Sequence, residues 1–351
     1  MQTSPSIPGR RALRVATGTA LTLAISFALD FPIPVIAPVL AVFLLATQTR
    51  PLSLKAALAL ALVVALTTGS GLLLVPVLRY YPFAGVLLVG LGLFLTFRAG
   101  LRSGNNLVST FLAAGLTMIS AAGVADQQLA ATVVGALVKG LLLAVLVSVL
   151  SHALFPEPGV AAAGAKPSTR VVPQETASRI ALQAALVVMP AWLLAMNDPA
   201  SYMPIIMKSV SLGRQSCTTS ARGAAQELLG STALGGLLAV ACWFALRLFV
   251  NIWMFYLWML LFGLLVARKL YRIRPTRYSP GFWLNSLVTM IILLGQSVQD
   301  SVAGKDVYRA FAVRMALFLA VTAYACLMLQ IVERFARRGV QEASRHARNR
   351  A

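Results

Sequence analysis

Apolar positions in this chain do not alternate and do not line one side of a helix; they come in long unbroken runs separated by short charged segments. A bilayer core is crossed by a helix of about 20 residues, and with that template a first group of helices falls near residues 11–29, 34–48, 54–76, 83–98, 105–124 and 128–154. A second group falls near 179–196, 200–213, 222–246, 249–267, 282–299 and 308–332. The second and eighth are short and carry Pro38 and Pro204, the pattern of a broken or tilted span. The pattern predicts an all-α polytopic membrane protein with about 12 transmembrane helices. One run, Leu129 to Phe155, holds a full charge at its centre, Lys139. A charge at mid-membrane costs about 2.5–3.5 kcal/mol on insertion scales and normally faces a bundle interior or a water-filled path.

The runs repeat. Arg11 and Asp30 are nineteen residues apart, as are Arg179 and Asp198, and a shift of 168 residues also brings Arg79 onto Arg247. With small drifts, Arg98 and Arg102 fall on Arg268 and Arg272, Thr117-Met118-Ile119 on Thr289-Met290-Ile291, and Lys139 on Arg314. This predicts two copies of a six-helix unit. Six is even, so both copies enter from the same side, as parallel repeats about an axis along the membrane normal. The chain then divides into a first membrane repeat over 1–155, a Pro/Gly/Ala-rich cytoplasmic linker over 156–178, a second repeat over 179–333 and a basic cytoplasmic tail over 334–351.

Charge fixes the expected orientation. Arginines and lysines gather in alternate connecting segments, while Asp30, Asp126, Asp198, Asp300 and Asp306 lie in the others, so both termini are expected in the cytoplasm. With 59% hydrophobic and 11% charged residues and a mean hydropathy of +0.81, the net charge of +20 reads as a topology signal and not as a nucleic-acid surface. Three separated cysteines and two histidines support neither a disulfide framework nor a metal site. No cofactor, no metal and no enzymatic chemistry are expected.

The candidate site residues are those that could carry transport. Lys139 and Arg314, counted from Asp126 and Asp300, fall near mid-depth, with Thr117 and Thr289 at a similar level. Two cations and two hydroxyls facing an axis would form an anion site. Glu227, which has no acidic counterpart in the first copy, is the candidate proton-coupling carboxylate. Arg98/Arg102 and Arg268/Arg272, each spaced i, i+4, could gather anions at the cytoplasmic mouth.

The 6+6 organisation, the basic start at Arg11, the Gly-rich stretch Gly230-Ser231-Thr232 to Gly235-Gly236 and the Arg314 helix resemble the fusaric acid resistance and aromatic acid exporter superfamily of bacterial inner membranes. The resemblance implies a multi-pass inner-membrane protein that exports small, often aromatic, carboxylic acids with the proton gradient, beside a periplasmic membrane-fusion protein of the HlyD type. There are two departures. The large cytoplasmic domains of longer members are replaced by the linker and the short tail, as in a short branch of unestablished function, and the family's Arg-x-x-Gly-Thr pattern stands here as Glu227-Leu228-Leu229-Gly230-Ser231. A passive anion channel of the same fold, or a non-transporting membrane subunit of an efflux assembly, are the competing expectations.

Overall fold

The computed structural model describes residues 7–48, 54–104, 106–157, 174–216, 223 and 225–348. Most of the expected linker, residues 158–173, and the end of the tail, 349–351, lie outside the described residues. The described chain forms α1 (Ile7–Ala28), α2 (Ile36–Thr47), α3 (Leu54–Tyr80), α4 (Pro82–Ser103), α5 (Asn106–Ala125), α6 (Gln127–Leu154), α7 (Gln174–Ala195) and α8 (Pro199–Ser216). A π-helical turn, Ala225–Leu229, leads into α9 (Gly230–Leu248), followed by α10 (Ile252–Leu270), α11 (Pro280–Val302) and α12 (Val307–Arg348).

Breakers and caps set the ends. Pro82 and Pro280 start α4 and α11, where a missing N–H is no loss. Asp126 and Asn251 cap α6 and α10 by accepting from the Gln128 and Trp253 N–H groups. Asp30 adopts a left-handed conformation (φ 49°) after α1, and the Phe31 N–H closes back on the Ser26 carbonyl.

Leucines spaced i, i+4 lie exposed along the outside: Leu58, Leu62 and Leu66 on α3, Leu87, Leu91 and Leu95 on α4, and Leu257, Leu261 and Leu265 on α10. On α4 the opposite side, Gly85, Val89, Leu93 and Phe97, is buried. Exposed apolar rows of this extent do not stay in water, and the protein is a multi-pass membrane protein. Among the described residues nine helices are long and apolar enough to cross a bilayer; α1, α2 and α8 fall outside that set.

The centre is built by α2, α5, α8 and α11, and each helix of the first six packs as does the helix six places later. Thus α1 lies on α2 and α6, and α7 on α8 and α12; α3 and α4 lie on α5, and α9 and α10 on α11. The crossing pairs match too: α1 with α10 and α7 with α4, α2 with α11 and α8 with α5. α12 runs on without a break to Arg348, so the start of the expected basic tail continues the last membrane helix. At about 1.5 Å per residue it is roughly twice as long as a bilayer core is thick.

The two ends of the bundle differ chemically. At the basic end, Arg11 and Arg14 of α1 reach Glu157, just past α6; Arg11 forms two hydrogen bonds of 3.0 Å to its carboxylate, and Arg14 pairs with the same group. The side chains of Arg14 and Glu157 are each 3% exposed. Arg10 donates to the Pro156 carbonyl at 2.5 Å. Three arginines therefore fix the first residues beyond α6. Burial alone would raise the Glu157 pKa, but hydrogen bonds and charge from Arg11 and Arg14 outweigh it and hold the carboxyl below its ordinary value. At the acidic end the Gln299 amide donates to the Pro32 carbonyl, and Arg79 donates to the Gly123 carbonyl at 2.9 Å.

Candidate functional site

Midway along α8 stands Lys208, a lysine with no exposed surface. Its Nζ donates to Asn285 Oδ1 at 3.0 Å and to Thr289 Oγ1 at 2.7 Å. Both acceptors are on α11, four residues apart and so on one side of that helix. A lysine only donates, which assigns the oxygen of Asn285 to it and leaves the amide nitrogen for Ser231 Oγ on α9, at 2.6 Å. Ser231 in turn donates to the carbonyl of Glu227 in the π-helical turn, and Thr289 to the carbonyl of Asn285 at 2.7 Å. Three helices are tied by one polar chain whose side chains are almost wholly buried, and among the described residues no carboxylate pairs with Lys208.

Glycine makes the chain possible. A Cβ on Gly235 would stand 2.6 Å from the Ser286 carbonyl oxygen and 2.6 Å from Thr289 Cβ, so only glycine lets α9 come close enough for Ser231, one turn earlier, to reach Asn285. Gly235→Ala is expected to cost about 1–3 kcal/mol, since backbone must move to admit the methyl group. Thermal unfolding in detergent checks this; an unchanged Tm would contradict the close contact.

Two cavities flank the polar chain. At the basic end a cavity of about 240 Å³ is lined by Phe43 and Thr47 of α2, Ser211, Arg214 and Gln215 of α8, and Leu284 and Asn285 of α11. The Arg214 guanidinium lies over the Phe43 ring, 4.2 Å from its centre. Asn285 is thus both a wall of this cavity and a partner of Lys208. A second, apolar cavity shares Phe43 and Ser211 and includes Leu40, but at about 30 Å³ it holds no more than a water. At the acidic end a cavity of about 400 Å³ is lined by Asp198, just before α8, by Ser201 and Tyr202 of α8, by Asp300 of α11 and, for the most part, by α12 and the turn before it, including Arg309 and Arg314. The same two helices, α8 and α11, line both cavities, and the Lys208 chain lies between.

The residues singled out from sequence are distributed differently from expectation. Thr289 belongs to the polar chain. Thr117 occupies the matching place on α5, buried and donating to the Ala113 carbonyl at 2.7 Å, but among the described residues it meets no lysine. Arg314 forms a two-point ion pair with Asp300, one of its bonds 3.0 Å long. It lies only seven residues past the start of α12, about 10 Å along the helix. The sequence count from Asp300 had treated the residues between α11 and α12 as helical rise, and so set Arg314 too deep. Lys139 lies on the exposed side of α6. That helix packs on α1, α2, α3 and α5, whereas α12 packs on α7, α8, α9 and α11, so the structure does not bring the two cations together.

Glu227 is half-buried in the π-helical turn and joins the polar chain through its backbone carbonyl. Arg98 and Arg102 both lie within α4. Arg268 and Arg272 do not share a helix side: α10 stops at Leu270, Arg272 takes a left-handed conformation (φ 54°), and the Ile273 N–H closes on the Arg268 carbonyl. None of these four arginines lines the basic-end cavity, where Arg214 stands instead. Lys208 is not among the candidates from sequence because, six residues before Arg214, it reads with the cations of the adjoining connecting segment. Its place as the tenth residue of α8, between Ile205-Ile206-Met207 and Val210, was the available signal.

No curated protein and no solved structure matches the chain. Residues 11–151 match a family described as a protein of unknown function (DUF2955).

Proposed function

We propose that this protein is an exporter of small organic anions that works across a cytoplasmic membrane, with its basic end in the cytoplasm and Lys208 as the central anion-binding group. The carrying observation is the arrangement along α8 and α11: a cavity lined in part by Arg214, a buried lysine held by neutral oxygens behind Asn285, and a second cavity beyond. A lysine so placed has no carboxylate partner among the described residues, and an entering anion supplies the complement. The closed chain between the cavities is what a carrier needs and an open pore lacks.

The scaffold reading is twelve spans in two parallel six-helix units. It is supported by the matched packing of helices six places apart and by the extent of the family match, from the first turns of α1 to the last turn of α6. In this reading the copies have diverged at the centre: the shift of 168 residues sets Leu40, which lines the apolar cavity, opposite Lys208. The resemblance to aromatic acid exporters makes aromatic carboxylates the first substrates to try. Purified protein in vesicles loaded with radiolabelled benzoate, salicylate or 4-hydroxybenzoate is expected to give saturable efflux above protein-free vesicles. Rates equal to protein-free vesicles for every acid would count against transport.

A further inference from the structure

Lys139 is unexplained by the path along α8 and α11. It lies twelve residues past the start of α6, about 18 Å along a helix that crosses a core of about 30 Å. Its side chain is on the outer surface, among exposed Val138, Leu142 and Leu146, and among the described residues nothing hydrogen-bonds or pairs with it. A lysine stem of about 6 Å does not carry the charge from that depth to either interface.

The second half of the chain shows how the repeat-related charge, set nearer its helix end, is met. Arg314, which the repeat sets against Lys139, is held by Asp300. The matching carboxylate of the first half, Asp126, is spent on capping α6, where it accepts from the Gln128 N–H. We infer that the exposed side of α6 around Lys139 is an intramembrane docking surface for a partner's membrane helix that carries a carboxylate at mid-depth.

A second copy of this chain does not fit. Two such surfaces about a twofold axis would set lysine against lysine. The chain's own carboxylates offer no substitute: Asp30, Asp126, Asp198 and Asp306 sit at helix ends, Glu175 is in the first turn of α7, Asp300 and Glu157 are held by arginines, Glu227 lies in the turn before α9, and Glu333 and Glu342 come after the apolar span of α12, which ends at Val332. Gly135, one turn before Lys139, has nothing within 4 Å of a built Cβ, which leaves room for a helix to approach.

The test is photo-crosslinking in native membranes, with benzoylphenylalanine at Val138 or Leu142 and, as a control, at Leu87 on the outside of α4. The expected result is one heavier adduct of fixed mass from positions 138 and 142 and none from 87. The crosslinked peptide should be a hydrophobic segment containing Asp or Glu. Lys139→Leu should reduce the adduct at least about fivefold, while Lys139→Arg, inserted to the same level, keeps it. Adducts only with lipid, an adduct of two copies of this chain, or an adduct indifferent to Lys139→Leu would each overturn the inference.

Discussion

Replacing Lys208 by Met is expected to abolish organic-anion flux in reconstituted vesicles. Removing one partner of a buried charge pair costs about 2–5 kcal/mol, so transport should fall by about 30-fold or more at limiting substrate. The fold should survive: Asn285 and Thr289 lose a donor, at about 1–3 kcal/mol, but α8 keeps its apolar contacts and Met fills most of the lysine's volume. Lys139→Gln, measured in the same vesicles, should leave flux within about threefold, because Lys139 lies outside the bundle. This contrast separates the buried lysine from the exposed one. Flux of Lys208→Met at the wild-type rate would remove the lysine from the path.

The second large effect concerns stability. Glu157→Ala leaves Arg14 buried and facing no carboxylate, a change worth about 3–5 kcal/mol when a buried pair loses one member. Thermal unfolding in detergent should show a marked drop in Tm. The double variant Glu157→Ala with Arg14→Leu should recover much of it, because no stranded charge remains. The pH dependence has a definite sign. The folded-state pKa of Glu157 is depressed, so its contribution is complete above the ordinary carboxylate value and is lost as pH falls through the lower folded value. The Tm advantage of wild type over Glu157→Ala should be constant near neutrality and shrink only in acid. An advantage that grew in acid would contradict the ion-pair account.

Much of the architecture is legible in the sequence, and particular residues show where legibility ends. Helix limits were readable because prolines, caps and charged segments interrupt apolar runs: the expected 128–154 became Gln127–Leu154, and 282–299 became Pro280–Val302. The direction in which Lys139 points was not readable. α6 is apolar on every side, so no periodicity distinguishes its buried side from its outer one. Lys208 was hidden for the opposite reason. α8 carries serines, a glutamine and Arg214 besides the lysine, and it reads as a weak span followed by a basic segment although its apolar residues are buried at the centre. The Arg314 to Asp300 pair joins two helices across a short turn, a contact that residue counting along one helix cannot see. The Arg272 turn depends on where α10 ends, three residues after Ala267, a limit set by backbone geometry and not by hydropathy.

On the proposed reading a path runs along α8 and α11 with two mouths, closed between them at Lys208. Thiol accessibility tests it most directly, in a background with Cys217, Cys242 and Cys326 replaced by Ala. Ser211→Cys, in the basic-end cavity, and Ser201→Cys, in the acidic-end cavity, would be challenged with a membrane-impermeant maleimide from each side of sealed vesicles. Ser211→Cys is expected to react from the cytoplasmic side alone, Ser201→Cys from the opposite side alone, and a transported acid to slow both. Reaction of both cysteines from the same side, or no reaction at Ser211→Cys from either, would contradict that reading.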